Sequence, residues 1–172
     1  MRVILEPSFF SQPALAVGRQ LLGKYIVRAE RGKEVALPIT ELEVYDGFED
    51  RASHAFRGKT PRNEVMWSDA GFLYVYFVYG MHWMLNVVVG KKNYPAAILI
   101  RGAGDISGPA RLTVKLNITG AQSGVRAIPA NGIWFEDRGV RISRGHCKRL
   151  PRVGVARAGA EWAEKPYRFV VV

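Results

Sequence analysis

Acidic side chains crowd into one short stretch of the sequence, residues 39–54, which reads ITELEVYDGFEDRASH. The first half of this stretch alternates between apolar and polar residues, as a β-strand with one buried face does. The pattern predicts that Leu42 and Val44 enter a core, while Glu41, Glu43 and Tyr45 lie on the opposite face. Carboxylates at alternate strand positions are about 7 Å apart, close enough to influence each other's pKa. Such a pair suits general acid–base chemistry, although ion pairing with Lys or Arg across a sheet would also explain it.

The rest of the chain is strongly basic. It has 25 Lys and Arg against 15 Asp and Glu, a formal charge of +10 and a pI near 10.0. The excess is largest between residues 138 and 168, which include nine basic and two acidic residues. A polyanionic partner is the leading inference, with nucleic acid ahead of a membrane surface. The acidic stretch would then do chemistry beside an anion that other residues hold.

Length and cysteine content narrow the class further. A chain of 172 residues is expected to form one domain, spanning residues 1–172, with a sizeable core. Its single cysteine, Cys147, excludes an internal disulfide and an all-cysteine zinc site, and it suits a reducing cytosol. The N-terminal MRVILEPSFF has a very short apolar run, interrupted by Glu6 and Pro7, and does not read as a signal peptide.

Turn and cap signals divide the chain into short elements. Ser11 and Pro13 predict the start of a helix that Gly23 ends. We expect strands at residues 24–29, 34–45, 96–100 and 169–172, and a further hairpin at residues 133–142. Short helices are expected at residues 60–67 and 108–116, with helical turns near residues 49–53 and Trp162. This mixture, without internal repeats, indicates an α+β fold.

Residues 72–89, FLYVYFVYGMHWMLNVVV, contain no formally charged side chain and are long enough to cross a membrane. The β-branched and aromatic residues and the central Gly80 instead predict a β-hairpin that turns near residues 79–82. Large aromatics on both faces indicate that protein or a ligand covers both. Two residues do not fit a simple core: Tyr79 lies next to the turn, and Asn86 interrupts an apolar arm.

Five segments, in the same order along nearly the whole chain, closely resemble the alkyladenine (3-methyladenine) DNA glycosylase family. They are ELEVYDGFEDRASHAF, GKTPRNEVMW, GFLYVYFVYGMHWMLNVV, SGPARL and RVGVARAGAEWAEKPYRF. The resemblance implies a single mixed domain with a curved antiparallel β-sheet, flanking short helices and a protruding β-hairpin, distinct from helix-hairpin-helix glycosylases. It also implies hydrolysis of the N-glycosidic bond of alkylated or deaminated purines, without a metal or other cofactor.

The matching positions carry the family's roles over to individual residues. Glu43 matches the acid that deprotonates the attacking water, and Arg101 matches the arginine beside that water and the target phosphate. Tyr45, His54 and Tyr76 match the aromatic and imidazole side chains that sandwich the extruded base. Asn86 matches the residue that opposes the exocyclic amine of normal guanine. Tyr79 matches the side chain that fills the gap in the duplex.

The chemistry of base excision is consistent with these roles. A stacked base cannot react at its glycosidic bond, so the enzyme must extrude it and fill the gap with a rigid apolar wedge. Tyr79, followed by Gly80 and Met81, fits such a wedge. We expect Arg57, Lys59 and Arg62 to contact phosphates without reading sequence. The expected partner is double-stranded DNA that contains damaged purines.

These expectations also describe where the protein acts. We expect a monomer that binds DNA and no membrane. Its location would be the cytoplasm, in association with the nucleoid in a prokaryote, or the nucleus in a eukaryote. The family's chemistry needs no metal, so none is expected.

Two other functions remain open from the sequence. A metal-dependent nuclease could use Glu41, Glu43, Asp46 and Asp50 as Mg²⁺ ligands, although the aromatic hairpin would then be unexplained. A non-catalytic nucleic-acid-binding module would leave the acidic stretch without a purpose. Isolated histidines, His82 and His146, and the single cysteine are more often structural than metal-binding. If both acids are buried, Glu41 would raise the pKa of Glu43.

Overall fold

The computed structural model describes residues 1–172 and is built around one open sheet of ten strands. In chain order the strands are β1 (Val3–Ile4), β2 (Tyr25–Glu30), β3 (Lys33–Asp46), β4 (Leu73–Val78), β5 (His82–Val88), β6 (Ala96–Ala103), β7 (Ile106–Ser107), β8 (Ile133–Asp137), β9 (Cys147–Leu150) and β10 (Arg168–Val171). Every pair of neighbouring strands is antiparallel. Four short helices flank the sheet: α1 (Pro7–Phe10), α2 (Ala14–Leu21), α3 (Pro109–Lys115) and α4 (Ala160–Ala163). The predicted α+β class is confirmed.

Strand β3 is the centre of the sheet. Its 14 residues pair with β2 through their first half, and with β6 and β10 through their second. The register with β6 shifts between Ile39 and Leu42, and an irregularity of this kind bends and twists a strand. The predicted alternation is confirmed: Leu42 and Val44 are fully buried in the main core, while Glu43 and Tyr45 face the other way, into a pocket.

The main core lies between the sheet and the helices α1, α2 and α3, with α2 packed against β3. At Gly18, an added Cβ would lie only 2.7 Å from Cγ2 of Val44. The missing side chain therefore lets the helix approach β3 closely. This contact fixes the apolar face of β3 and, through it, the direction of the side chains on its opposite face.

The uncharged segment forms the expected hairpin from β4 and β5. The chain reverses at Tyr79 and Gly80, whose φ angles are +52° and +66°, and Met81 N–H donates to the carbonyl of Val78. Two consecutive positive φ angles match the type I′ turn, which follows the twist of the strands. Tyrosine seldom adopts this backbone conformation. No helix in the structure is long and apolar enough to cross a membrane.

Several local expectations are wrong. Ser11 does not cap α2, which begins after Pro13. It lies at the end of α1 instead, where its hydroxyl donates to the carbonyl of Ser8. Residues 133–142 do not form a hairpin, because only the first half is a strand, β8, and it pairs with β1 and β2. In the second half Asp137 accepts from the Gly139 N–H and from the Arg141 guanidinium, which turns the chain away.

Two predicted helical segments are also displaced. Of residues 60–67, only Glu64–Trp67 is helical, and it forms a 3₁₀ turn. The Thr60 side chain does not cap it. Instead, the Asn63 side chain accepts a hydrogen bond from the Thr60 N–H. No helix forms at residues 49–53; a 3₁₀ turn follows at His54–Arg57. The helix opened by Gly108 and the turn near Trp162 are confirmed as α3 and α4.

Candidate active site

A pocket of about 330 Å³ opens between β3, β4, β5, β6 and two loops. Its size is at the lower end of the range for small-molecule sites. The structure brings together here seven residues that the sequence singled out: Glu43, Tyr45, His54, Tyr76, Tyr79, Asn86 and Arg101. Met81, Arg57, Lys59 and Arg62 do not line this pocket.

Glu43 is fully buried at the inner wall of the pocket and is held by three groups. The Tyr45 hydroxyl donates to its Oε2 at 2.8 Å, and the Val153 N–H donates to its Oε1 at 2.7 Å. Nη1 of Arg101 lies 3.5 Å from the same Oε1. Burial raises the pKa of the Glu43 carboxyl, while the Arg101 charge and the two hydrogen bonds oppose that rise. The result is a fixed carboxylate with an elevated affinity for a proton.

Glu41 has a different environment although it lies on the same strand face. Its Oε1 accepts from Nε of Arg101 at 2.9 Å and from Nη1 of Arg168 at 3.0 Å. The ion-pairing interpretation is therefore confirmed for this residue. Burial, and not the charge of Glu41, is the main cause of the raised pKa of Glu43.

The remaining acids of the stretch do not converge on one point. Asp50 pairs with Arg152, and Asp46 accepts from the Tyr94 hydroxyl at 3.1 Å. No three His, Cys, Asp or Glu side chains lie close enough together to hold a metal ion. The four acids that the sequence suggested as Mg²⁺ ligands, Glu41, Glu43, Asp46 and Asp50, therefore bind separate partners within the protein.

The Asp50–Arg152 pair is a feature that sequence reasoning missed. Both side chains are completely buried, and Nη2 of Arg152 donates to Oδ1 of Asp50 at 2.9 Å. Nη1 donates to the carbonyl of Val44 at 2.9 Å, and the guanidinium carbon lies 4.8 Å from the centre of the Tyr45 ring. Arg152 directly precedes Val153, whose N–H binds Glu43. The pair therefore helps to position both groups that donate hydrogen bonds to Glu43, the Tyr45 hydroxyl and the Val153 N–H.

Aromatic and imidazole rings form one side of the pocket. The centres of the His54 and Tyr76 rings are 4.6 Å apart, and Nδ1 of His54 lies 3.0 Å from the Tyr74 hydroxyl. Burial and the nearby Arg62 charge lower the pKa of His54, so its ring is neutral at pH 7. Burial raises the pKa of Tyr74 to about 12, which keeps its hydroxyl protonated. Sequence reasoning did not identify Tyr74, because strand parity did not reveal its contact with His54.

Asn86 is buried in β5, directly opposite Tyr74 of β4. Both hydrogen bonds of its side chain are donated by Nδ2, to the carbonyl of Tyr74 at 3.0 Å and to that of Met84 at 3.5 Å. These bonds fix the direction of the amide at the pocket wall. A polar group held rigidly among apolar residues is suited to discriminating between ligands by their hydrogen-bonding groups.

The hairpin tip projects beyond the pocket. Tyr79 is 86% exposed and Met81 is 66% exposed, which is unusual for residues of this size and polarity. Nη2 of Arg62 donates to the carbonyl of Phe77 at 3.0 Å, which places this cation beside the hairpin. Arg57, at the end of the 3₁₀ turn, and Lys59, just after it, are both exposed. The Arg62 cation thus lies beside the hairpin that carries the apolar tip.

Comparison with known proteins gives the same family from a family model and from individual relatives. Residues 8–107, which include β3, the hairpin and β6, match the family described as methylpurine-DNA glycosylase (MPG). A protein of Methanocella arvoryzae is 38% identical over 96% of this chain and 91% of its own length. A Myxococcus xanthus protein is 38% identical over 97% and 89%, and a Wolbachia protein is 43% identical over 67% and 70%. All three are provisionally named 3-methyladenine DNA glycosylases. This chain belongs to the methylpurine-DNA glycosylase family.

Proposed function

We propose that this protein is a monofunctional DNA glycosylase that removes alkylated or deaminated purines from duplex DNA and leaves an intact abasic strand. The observation that carries the proposal is the state of Glu43, a buried carboxylate oriented by Tyr45, Val153 and Arg101 beside a pocket with aromatic walls. Membership of the family supports hydrolysis of an N-glycosidic bond.

Glu43 takes the role of general base. Its raised pKa favours removal of a proton from a water molecule that attacks the sugar carbon. Arg101, whose Nη1 is 3.5 Å from Glu43, keeps a positive charge beside the reacting groups. A purine alkylated on a ring nitrogen carries a positive charge and is already a good leaving group. Activation of water is then the main chemical task of the protein.

Tyr45, His54 and Tyr76 hold the extruded base. Stacking on aromatic side chains contributes about 1–3 kcal/mol per base, and a cationic base gains roughly a further 0.5–2 kcal/mol from the ring quadrupole. The rigid amide of Asn86 opposes the exocyclic amine of normal guanine. Its two bonds to backbone carbonyls prevent it from turning aside, which supports a role in excluding undamaged guanine.

The hairpin tip fills the space that the base leaves. Tyr79 and Met81 are apolar, exposed and carried on a tight turn, so they are suited to enter the base stack. Arg62, Arg57 and Lys59 contact phosphates and contribute to binding without sequence preference. We propose that one copy of the chain is sufficient for these steps.

The reaction type is tested by incubating the protein with duplex DNA that contains 3-methyladenine, 7-methylguanine, ethenoadenine or hypoxanthine. We expect free bases to be released, activity to survive EDTA, and borohydride to trap no protein on DNA. No lysine is placed by the family resemblance to form an imine. If EDTA abolished activity and Mg²⁺ restored it, the nuclease function would replace this proposal. Covalent trapping by borohydride would exclude the monofunctional mechanism.

A further inference from the structure

A second cleft, of about 320 Å³, lies beside the base pocket. It is lined by Arg51, Phe56, Arg57, Arg157, Ala158 and Gly159. No carboxylate lines it. Its lining includes three arginines and one aromatic ring and differs sharply from that of the first pocket.

Two segments of the chain contribute residues to both cavities. In the first loop, residues 52–54 line the base pocket while Arg51, Phe56 and Arg57 line the second cleft. In the second loop, residues 153–155 line the base pocket while residues 157–159 line the second cleft. The two cavities are therefore neighbours along one groove between these loops.

The three arginines of the cleft are unpaired. Arg51, Arg57 and Arg157 are exposed, and none has a carboxylate oxygen within 4.0 Å. The guanidinium carbon of Arg51 lies 5.8 Å from the centre of the Phe56 ring, which holds that side chain over the ring. Three neighbouring cations repel one another, and a bound anion would remove this repulsion.

We propose that the cleft binds a phosphodiester of the damaged DNA strand, next to the nucleotide whose base enters the pocket. This inference rests on the proposed function. Guanidinium groups match phosphate oxygens with paired hydrogen bonds, and they favour phosphate over a single compact anion. The volume exceeds the need of one phosphate, and the half-exposed Phe56 ring offers an apolar surface to the adjoining deoxyribose.

The damaged strand is favoured over its complement because of the shared loops. A nucleotide that enters the base pocket lies between residues 52–54 and 153–155, and its backbone must continue along the groove that these loops form. Gly159, at the rim of the cleft, has open space where a side chain would be, so a sugar–phosphate chain can approach the backbone there.

Binding in the cleft also joins the two loops that complete the catalytic pocket. The first loop contains His54, a wall of the pocket, and the second contains Val153, which donates to Glu43. A phosphate held by Arg51 or Arg57 on one side and Arg157 on the other bridges them. The cleft therefore fixes the geometry of the base pocket when the correct strand is engaged.

The test combines Arg157→Gln with single methylphosphonate substitutions, each of which removes the charge of one phosphate. Single-turnover excision is measured below saturation on duplexes substituted at each of the nearest phosphates, in the damaged strand and in its complement. We expect Arg157→Gln to slow excision about tenfold, the loss expected for one charge-assisted hydrogen bond. At one position in the damaged strand, a methylphosphonate should slow excision by the wild-type protein to a similar extent. The same methylphosphonate should have little further effect on excision by Arg157→Gln.

Arg31→Gln is the matched control, because Arg31 is exposed, forms no ion pair and lies in the turn between β2 and β3, at the far end of β3 from Glu43. The proposal is overturned if Arg157→Gln and Arg31→Gln slow excision equally. It is also overturned if the effects of Arg157→Gln and of every methylphosphonate on the rate are independent and simply multiply. A third contradicting result would be that the effect of Arg157→Gln depends only on a methylphosphonate in the complementary strand. Wild-type excision on the unsubstituted duplex tests the proposed function separately. Its absence would reject that function and this inference together, whereas normal excision without coupling would reject the cleft alone.

Discussion

Glu43 combines complete burial with donors on both of its oxygens. Burial disfavours the charged form, while the Tyr45 hydroxyl, the Val153 N–H and Arg101 favour it. The balance leaves a carboxyl whose pKa is higher than usual but which is still held in one orientation. These are the two properties that a general base requires, since it must both accept a proton and point at its source.

The pH dependence of excision tests this balance. Because the carboxylate is the active form, activity should fall as the pH decreases through the raised pKa of Glu43. Arg101→Met removes a charge that lowers this pKa, so the acid limb of kcat/KM should move to higher pH. Arg168→Met is the control, since the Arg168 guanidinium binds Glu41 and is not among the charges that shift the pKa of Glu43, although the two residues are neighbours across β10 and β3. An acid limb that stays in place in Arg101→Met, or moves equally in both variants, would show that Glu43 is not the titrating base.

At the scale of elements, β3 is the part of the fold that the sequence predicts best. Alternation is a local property, so the strand, its buried side and its acidic face could be inferred directly. The β4–β5 hairpin was predictable for the same reason. Local patterns also failed where side chains competed for the backbone, as Ser11 shows by bonding to Ser8 instead of capping α2.

Long-range pairings could not be inferred in this way. Asp50 and Arg152 are separated by 102 positions, and nothing near either one indicates the other. The same is true of the Val153 N–H that binds Glu43, because a backbone donor has no signature in the sequence. The resemblance to a family named the residues that line the pocket, but not the contacts that orient them.

Stability measurements test the importance of this buried pair. Asp50→Asn leaves the buried Arg152 without its counterion, and we expect the free energy of unfolding to fall by about 3–5 kcal/mol. Asp69→Asn, which removes partners of Lys92 and Arg126 on the surface, should cost only about 0–1 kcal/mol. Urea denaturation of both variants provides the comparison. Equal losses would mean that the Asp50–Arg152 pair is no more important than a surface ion pair.

At the scale of the whole molecule, the proposed function gives the positive charge and the apolar hairpin tip separate tasks. We propose that the net charge of +10 attracts DNA anywhere along its length, whereas the tip acts only where a base has been extruded. Binding through phosphates releases counterions and weakens with salt. Insertion of a side chain into the stack does not depend on salt in the same way.

A salt titration of DNA binding separates the two tasks. Arg62→Ala should reduce the slope of log K against log salt by about 0.9 on damaged and undamaged duplex alike. Tyr79→Ala should weaken binding to a damaged duplex and slow excision, while the slope stays nearly unchanged. If Tyr79→Ala lowered the slope as much as Arg62→Ala, Tyr79 would not be an intercalating wedge.

The central claim, that Glu43 activates water for base excision, is tested most directly by comparing Glu43→Gln with Glu41→Gln in single-turnover assays on the same damaged duplex. Glutamine keeps the size of the side chain and can accept the Val153 hydrogen bond, but it cannot take a proton from water. We predict that Glu43→Gln lowers turnover by about 10²–10⁴-fold with little change in affinity for an abasic-site analogue, and that Glu41→Gln has a much smaller effect. Near-normal turnover in Glu43→Gln, together with a large loss in Glu41→Gln, would contradict the account and assign the base to Glu41.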